Sequence, residues 1–145
     1  MQFINPQEAE AKVAARYRVI LIFWTAMLGS LAFLLILALV VPGSGTPNQT
    51  LTFALLGIGL TVVIIPVIVK QSLLRQSIEK QQLQLLVNTY VISFALCESA
   101  ALFGLMDHFV TGSVYYPIAF IIAAVGMLLH FPKKDHVRAV SYKKF

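Results

Sequence analysis

VILIFWTAMLGSLAFLLILALVV, residues 19–41, contains no Asp, Glu, Lys or Arg. A helix needs roughly 20 predominantly apolar residues to cross the hydrocarbon core of a bilayer. This run meets that length, and three more segments come after it. Residues 51–69 are also free of charge, residues 85–110 carry Glu98 well inside and Asp107 near their end, and residues 114–131 form the shortest of the four. Lipid offers no partner to unpaired backbone groups, so each segment reads as a helix. A β-barrel strand would alternate apolar and polar residues, and these runs do not. The expected fold is all-α and integral to a membrane: four transmembrane helices in two antiparallel hairpins.

Composition agrees. Of 145 residues, 59% are hydrophobic and 12% charged, whereas a soluble domain is nearer half apolar and a quarter charged. A soluble chain this short would leave too much of that apolar surface in water. The length suits a single domain. The lone cysteine, Cys97, allows no intrachain disulfide, and no Cys/His spacing resembles a zinc site.

The charges set the expected orientation. Lys12, Arg16 and Arg18 precede the first span, and Lys70, Arg75 and Lys80 lie between the second and third. Lys133, Lys134, Arg138, Lys143 and Lys144 lie beyond the fourth, which completes the eleven basic residues. All fall on one side of a four-span chain, so the positive-inside rule places both termini in the cytoplasm. Tyr17, Tyr90, Tyr115, Tyr116 and Phe131 lie near the expected interfaces, as an aromatic belt does. The first run is too long for a signal-peptide core and lacks a small-residue cleavage site.

The connectors differ in kind. Residues 42–50 (PGSGTPNQT) form an uncharged turn. Residues 70–84 (KQSLLRQSIEKQQLQ) are polar and basic without Gly or Pro, so the flanking helices should extend beyond the membrane. The link over residues 107–113 is short enough for a tight antiparallel pair. Asn5-Pro6-Gln7-Glu8 reads as a helix start, with Asn5 as the cap, so a short cytoplasmic helix over residues 6–18 should lead into the first span. Residues 133–145 read as a basic cytoplasmic tail drawn to anionic lipid headgroups. Pro66 should kink the second span. Asn48-Gln49-Thr50 fits a glycosylation sequon, although it sits close to the membrane.

Glu98 is the residue with most to explain. It falls near the middle of the third span, where a charged side chain costs about 2.5–3.5 kcal/mol on insertion scales. It should therefore face protein or water, and Thr61 and Ser30, at similar depth, are the expected partners. Either it is a proton or ion site, or it pins helices together through an interhelix hydrogen bond. The third span is also rich in small residues. Ser93, Cys97 and Ala101 repeat every four positions, as do Ala100 and Gly104. Ala119 and Ala123 match that spacing on the fourth span. Such faces let helices approach closely in lipid, within one chain, in a homo-oligomer or against a partner in a membrane complex. Asp107 and His108 read as a solvated helix end, and His130 and His136 as uninformative cytoplasmic residues. No nucleophile–base pair, phosphate-binding loop or metal cluster is visible, and no basic stripe suits nucleic acid. The chain thus reads as a non-enzyme without a cofactor.

The string YVISFALCESAALFGLM (residues 90–106) resembles the carboxylate-bearing helix of the ATP synthase rotor-ring subunit c. On that resemblance Glu98 matches the ion-carrying acid, and Ala101-Leu102-Phe103-Gly104-Leu105 matches the residues just after that acid. The whole chain resembles a loose group of small, uncharacterised four-helix bacterial membrane proteins. The shared pattern is ALCE at residues 95–98, ALFGL at 101–105 and His130-Phe131-Pro132 at the end of the fourth helix. That resemblance implies a bacterial inner membrane and supplies no activity. The expected function is an accessory or structural subunit packed in the bilayer, with ion handling through Glu98 as the alternative.

Overall fold

The computed structural model describes residues 6–141. Asn5, read as a helix cap, and Lys143 and Lys144 of the basic tail lie outside them. The described residues form five helices: α1 (Pro6–Val40), α2 (Gln49–Glu79), α3 (Leu83–Thr111), α4 (Tyr116–Leu129) and α5 (Lys134–Ser141). α1, α2 and α3 are long and apolar enough to cross a membrane, as a helical membrane protein requires. α4 has 14 residues, or about 21 Å at 1.5 Å per residue, which is short for a hydrocarbon core about 30 Å thick. A fourth crossing is counted only if α4 and α5 are one element, bent by 45°.

Two boundaries differ from the sequence reading. The helix expected over residues 6–18 is continuous with the first span: α1 runs for 35 residues from Pro6, because nothing between Tyr17 and Ile20 breaks a helix. The stretch after Lys133, expected only as a basic tail, is helical: residues 134–141 form α5. Its Val137 and Val140 are buried with Val13 and Ile20 of α1 and Leu86, Tyr90 and Phe94 of α3. Its polar face carries Arg138, paired with Glu10 at 3.0 Å, and Lys134, 3.6 Å from the same carboxylate.

The turn between α2 and α3 shrinks to residues 80–82. It is closed by the Gln82 N–H on Ser77 O (3.1 Å) and the Gln81 N–H on Ile78 O (3.3 Å). That pairing is a Schellman end, and it holds Gln81 at a left-handed φ of 49°. Asn48 caps α2 by accepting the Leu51 N–H at 3.1 Å, and α2 runs on through Pro66, which is buried. Gly112, with φ of 59°, ends α3.

α3 is the central helix and packs on each of the other four, whereas α1 and α2 do not pack on each other. The first two helices are therefore a hairpin in chain order only. The loop at residues 41–48 explains this arrangement, because it crosses the end of α3. A Cβ on Gly43 would lie 2.3 Å from His108 O, and one on Gly45 would lie 2.0 Å from Val110 O. Only glycine permits so close an approach. α2 thereby packs on α3 and α4 without touching α1, which docks against the same two helices. The nine basic residues described all lie at one end of the bundle, joined there by contacts of α5 with α1, α2 and α3.

Candidate functional site

Glu98 sits fifteen residues in from Leu83 and thirteen from Thr111, near the middle of α3. Its Oε1 accepts a hydrogen bond from Ser30 Oγ of α1. Thr61, the other expected partner, takes no part: it is exposed, and its hydroxyl donates to Gly57 O on its own helix at 2.8 Å. The reason is helical phase. α2 buries Thr52, Leu55, Gly59, Val63 and Pro66 on the face it turns to the bundle. Thr61 is two residues from Gly59, and at 3.6 residues per turn that carries it roughly 200° round the helix. Glu98 is likewise one position past Cys97, and so turns from the crowded side of α3 towards α1.

The crowded side holds the small residues. Ser93, Cys97, Ala100, Ala101 and Gly104 are all buried, as are Ala119 and Ala123. A Cβ on Gly104 would come within 2.6 Å of Ala119 Cβ. A Cβ on Gly59 would lie 3.6 Å from Ala100, and one on Gly126 would meet Val63 Cγ1 at 2.6 Å and Cys97 Sγ at 2.9 Å. This face is occupied by α2 and α4 of the same chain. Gly59 and Gly126 belong to it, although neither stands in a repeat that would mark it. α1 attaches by different means. Trp24 donates its indole N–H to Met127 O at 3.1 Å and meets Phe131 edge-on at 5.0 Å. Tyr17 donates to Pro132 O at 3.4 Å.

The basic end is tied together at Tyr90. Its hydroxyl bonds His136 Nδ1 at 2.7 Å and receives the Lys133 N–H at 3.3 Å. The Lys70 ammonium lies 4.4 Å from the centre of its ring. His136 is held below the ordinary histidine range by burial first, and then by the positive charges of Lys70 and Lys133. His130 is buried and bonds Gly126 O through Nδ1 at 2.7 Å.

Asp107 and His108 are not a solvated helix end. Asp107 is wholly buried and His108 nearly so, because the glycine loop and the start of α2 close over them. Asp107 Oδ1 accepts from Thr52 Oγ at 2.7 Å and from Thr111 Oγ at 2.8 Å. His108 Nε2 bonds Val41 O at 2.8 Å, and its ring packs on Tyr116 at 4.4 Å. The i, i+4 spacing of Asp107 and Thr111 was the available signal. Thr52, 55 positions away, could not be matched to it without the loop crossing.

Among the described residues, no three His, Cys, Asp or Glu side chains gather as metal ligands. Two surface clefts are lined by residues other than Glu98 and Ser30. One of about 400 Å³ lies at the end away from the basic residues, between residues 47–52 and 111–115. Another of about 420 Å³ is an apolar groove between α1 and α4. No protein-family model, no curated protein and no solved structure matches this chain.

Proposed function

We propose that this chain is a non-catalytic, multi-pass membrane protein, an accessory or structural subunit packed in a bacterial inner membrane. The observation that carries the reading is the bond from Ser30 to Glu98. The polar group most suggestive of ion chemistry is used to fasten one helix to another. In lipid such a bond is worth roughly 0.6–2 kcal/mol. α1, by contrast, leaves Ile22, Phe33, Ile36 and Leu39 more than half exposed, an apolar face open to lipid or to a neighbouring subunit.

The proposed topology has four passes, with α4 as the short fourth one, and both termini in the cytoplasm. The gathering of Lys12, Arg16, Arg18, Lys70, Arg75, Lys80, Lys133, Lys134 and Arg138 at one end supports it through the positive-inside rule. Anionic lipid headgroups are the proposed partners of that end, and a membrane complex or a second copy is the proposed partner in the bilayer. Native sizing in mild detergent tests the reading. A defined oligomer or a stoichiometric co-purifying protein is expected, and a strictly monomeric species without partners would sink it.

Ion handling is the second reading, favoured by the partial exposure of Glu98 at the middle of α3 and by the string that resembles subunit c. It requires carbodiimide labelling at Glu98 and loss of proton flux in Glu98→Gln. The structural reading expects neither.

A further inference from the structure

Lys70 is a half-buried cation without an anion. Among the described residues, no hydrogen bond or ion pair reaches its ammonium, and its neighbour is the Tyr90 ring at 4.4 Å. A ring face attracts a cation but leaves its three N–H donors without a lone pair to meet. The acids at this end are engaged or distant. Glu10 is paired with Lys134 and Arg138. Glu79 lies nine residues further along α2, roughly 13 Å away at the helical rise. Asp135 acts on His136 more weakly than either Lys70 or Lys133 does.

Two more donors gather round the same ring. The Tyr90 hydroxyl bonds His136 Nδ1 and accepts the Lys133 N–H. Its own proton has no other acceptor, so it goes to Nδ1, and the neutral imidazole keeps its hydrogen on Nε2. Among the described residues Nε2 has no hydrogen-bond partner. The charges of Lys70 and Lys133 both reach His136. Two ammonium groups and an imidazole N–H, from α2, the α4–α5 link and α5, thus stand near one another with no carboxylate bonded to any of them. Charges withdrawn from water are ordinarily paired.

Their depth names the kind of anion. Lys70 directly follows the apolar run over residues 51–69, and Lys133 follows the run over residues 114–131 after Pro132. Both therefore fall where headgroup phosphates lie in the proposed topology. Ile68 of α2, with Leu129 and Phe131 beside the link, stays exposed on the membrane side, which gives acyl chains an apolar surface next to the cations. Basic pockets between helices on the cytoplasmic side suit such headgroups.

We propose that Lys70, Lys133 and His136 Nε2 form a seat for the phosphate of one anionic phospholipid. The inference rests on the reading that this end faces anionic headgroups, and it narrows a diffuse attraction to a single site.

The test titrates the full chain in detergent with short-chain phosphatidylglycerol, short-chain phosphatidylcholine or inorganic phosphate. Bound lipid is counted by native mass spectrometry, and the unfolding midpoint is followed in parallel. One phosphatidylglycerol should bind at saturation and raise the midpoint, as a ligand of the native state does. Phosphatidylcholine, which has no net charge, and inorganic phosphate, which has no acyl chains, should bind far more weakly. Lys70→Gln should weaken phosphatidylglycerol binding about tenfold. Lys133→Gln, at an exposed position, should do the same and serves should Lys70→Gln not fold. Lys80→Gln, exposed just beyond α2, removes an equal charge and should leave binding unchanged. Undiminished binding in Lys70→Gln and Lys133→Gln would overturn the site, as would an equal response to inorganic phosphate. An equal loss in Lys80→Gln would overturn it while leaving the diffuse attraction standing. No preference for phosphatidylglycerol over phosphatidylcholine in any form would sink both.

Discussion

Gly45→Ala should be among the most damaging small substitutions in this chain, and Gly57→Ala among the most benign. At Gly45 the added carbon would stand 2.0 Å from Val110 O and 2.6 Å from Thr111 N. Both are backbone atoms, so no rotamer change relieves the clash and the 41–48 loop must lift. Overpacking of this kind costs about 1–3 kcal/mol. Lifting the loop also breaks the bond between His108 Nε2 and Val41 O, worth about 1 kcal/mol net. The expected loss is thus about 2–4 kcal/mol. At Gly57 a Cβ would meet nothing within 4 Å, and alanine should gain about 0.5–1 kcal/mol from helix propensity. The chain has one tryptophan, Trp24, set against Met127 and Phe131, so its fluorescence reports unfolding of the α1–α4 seam. Reversible unfolding by titrated SDS in mixed micelles would measure both variants. If Gly45→Ala proved as stable as Gly57→Ala, the loop could not lie across the end of α3, and the separation of α1 from α2 would lose its cause.

Other consequences are equally direct. A double-mutant cycle on Ser30→Ala and Glu98→Gln should give a coupling of about 0.6–2 kcal/mol, while Thr61→Val with Glu98→Gln should give none. Gln81→Gly should stabilise the protein by about 1 kcal/mol, since a left-handed φ strains any residue with a Cβ; equal stability in SDS titration would count against the Schellman end. The packing of α5 should weaken on acidification. His136 has its folded pKa lowered by burial and by Lys70 and Lys133, with Asp135 opposing. Its contribution is therefore complete above the unfolded value of about 6.5 and is lost as pH falls below it towards the folded value. Amide exchange over residues 137–141 should quicken below about pH 6.5, and replacing His136 with Gln should remove that dependence.

The sequence by itself settled the all-helical class and the runs long enough to cross a membrane, because length and apolarity are local properties of a segment. It also set the basic residues on one side of a four-span reading. Partners were another matter. A helix that is apolar all round carries no stripe to say which face is inside, so Thr61 and Ser30 looked equivalent as partners of Glu98. Small residues at positions 93, 97, 100, 101 and 104 signalled a close approach without naming what approached. Asp107 looked like a solvated end because the residues that bury it come from the glycine loop and from α2, far off in the chain. Tertiary structure made each choice: helical phase turns Glu98 towards Ser30 and Thr61 away, α2 and α4 fill the small-residue face of α3, and the loop at residues 41–48, passing over α3 at Gly43 and Gly45, brings Thr52 onto Asp107.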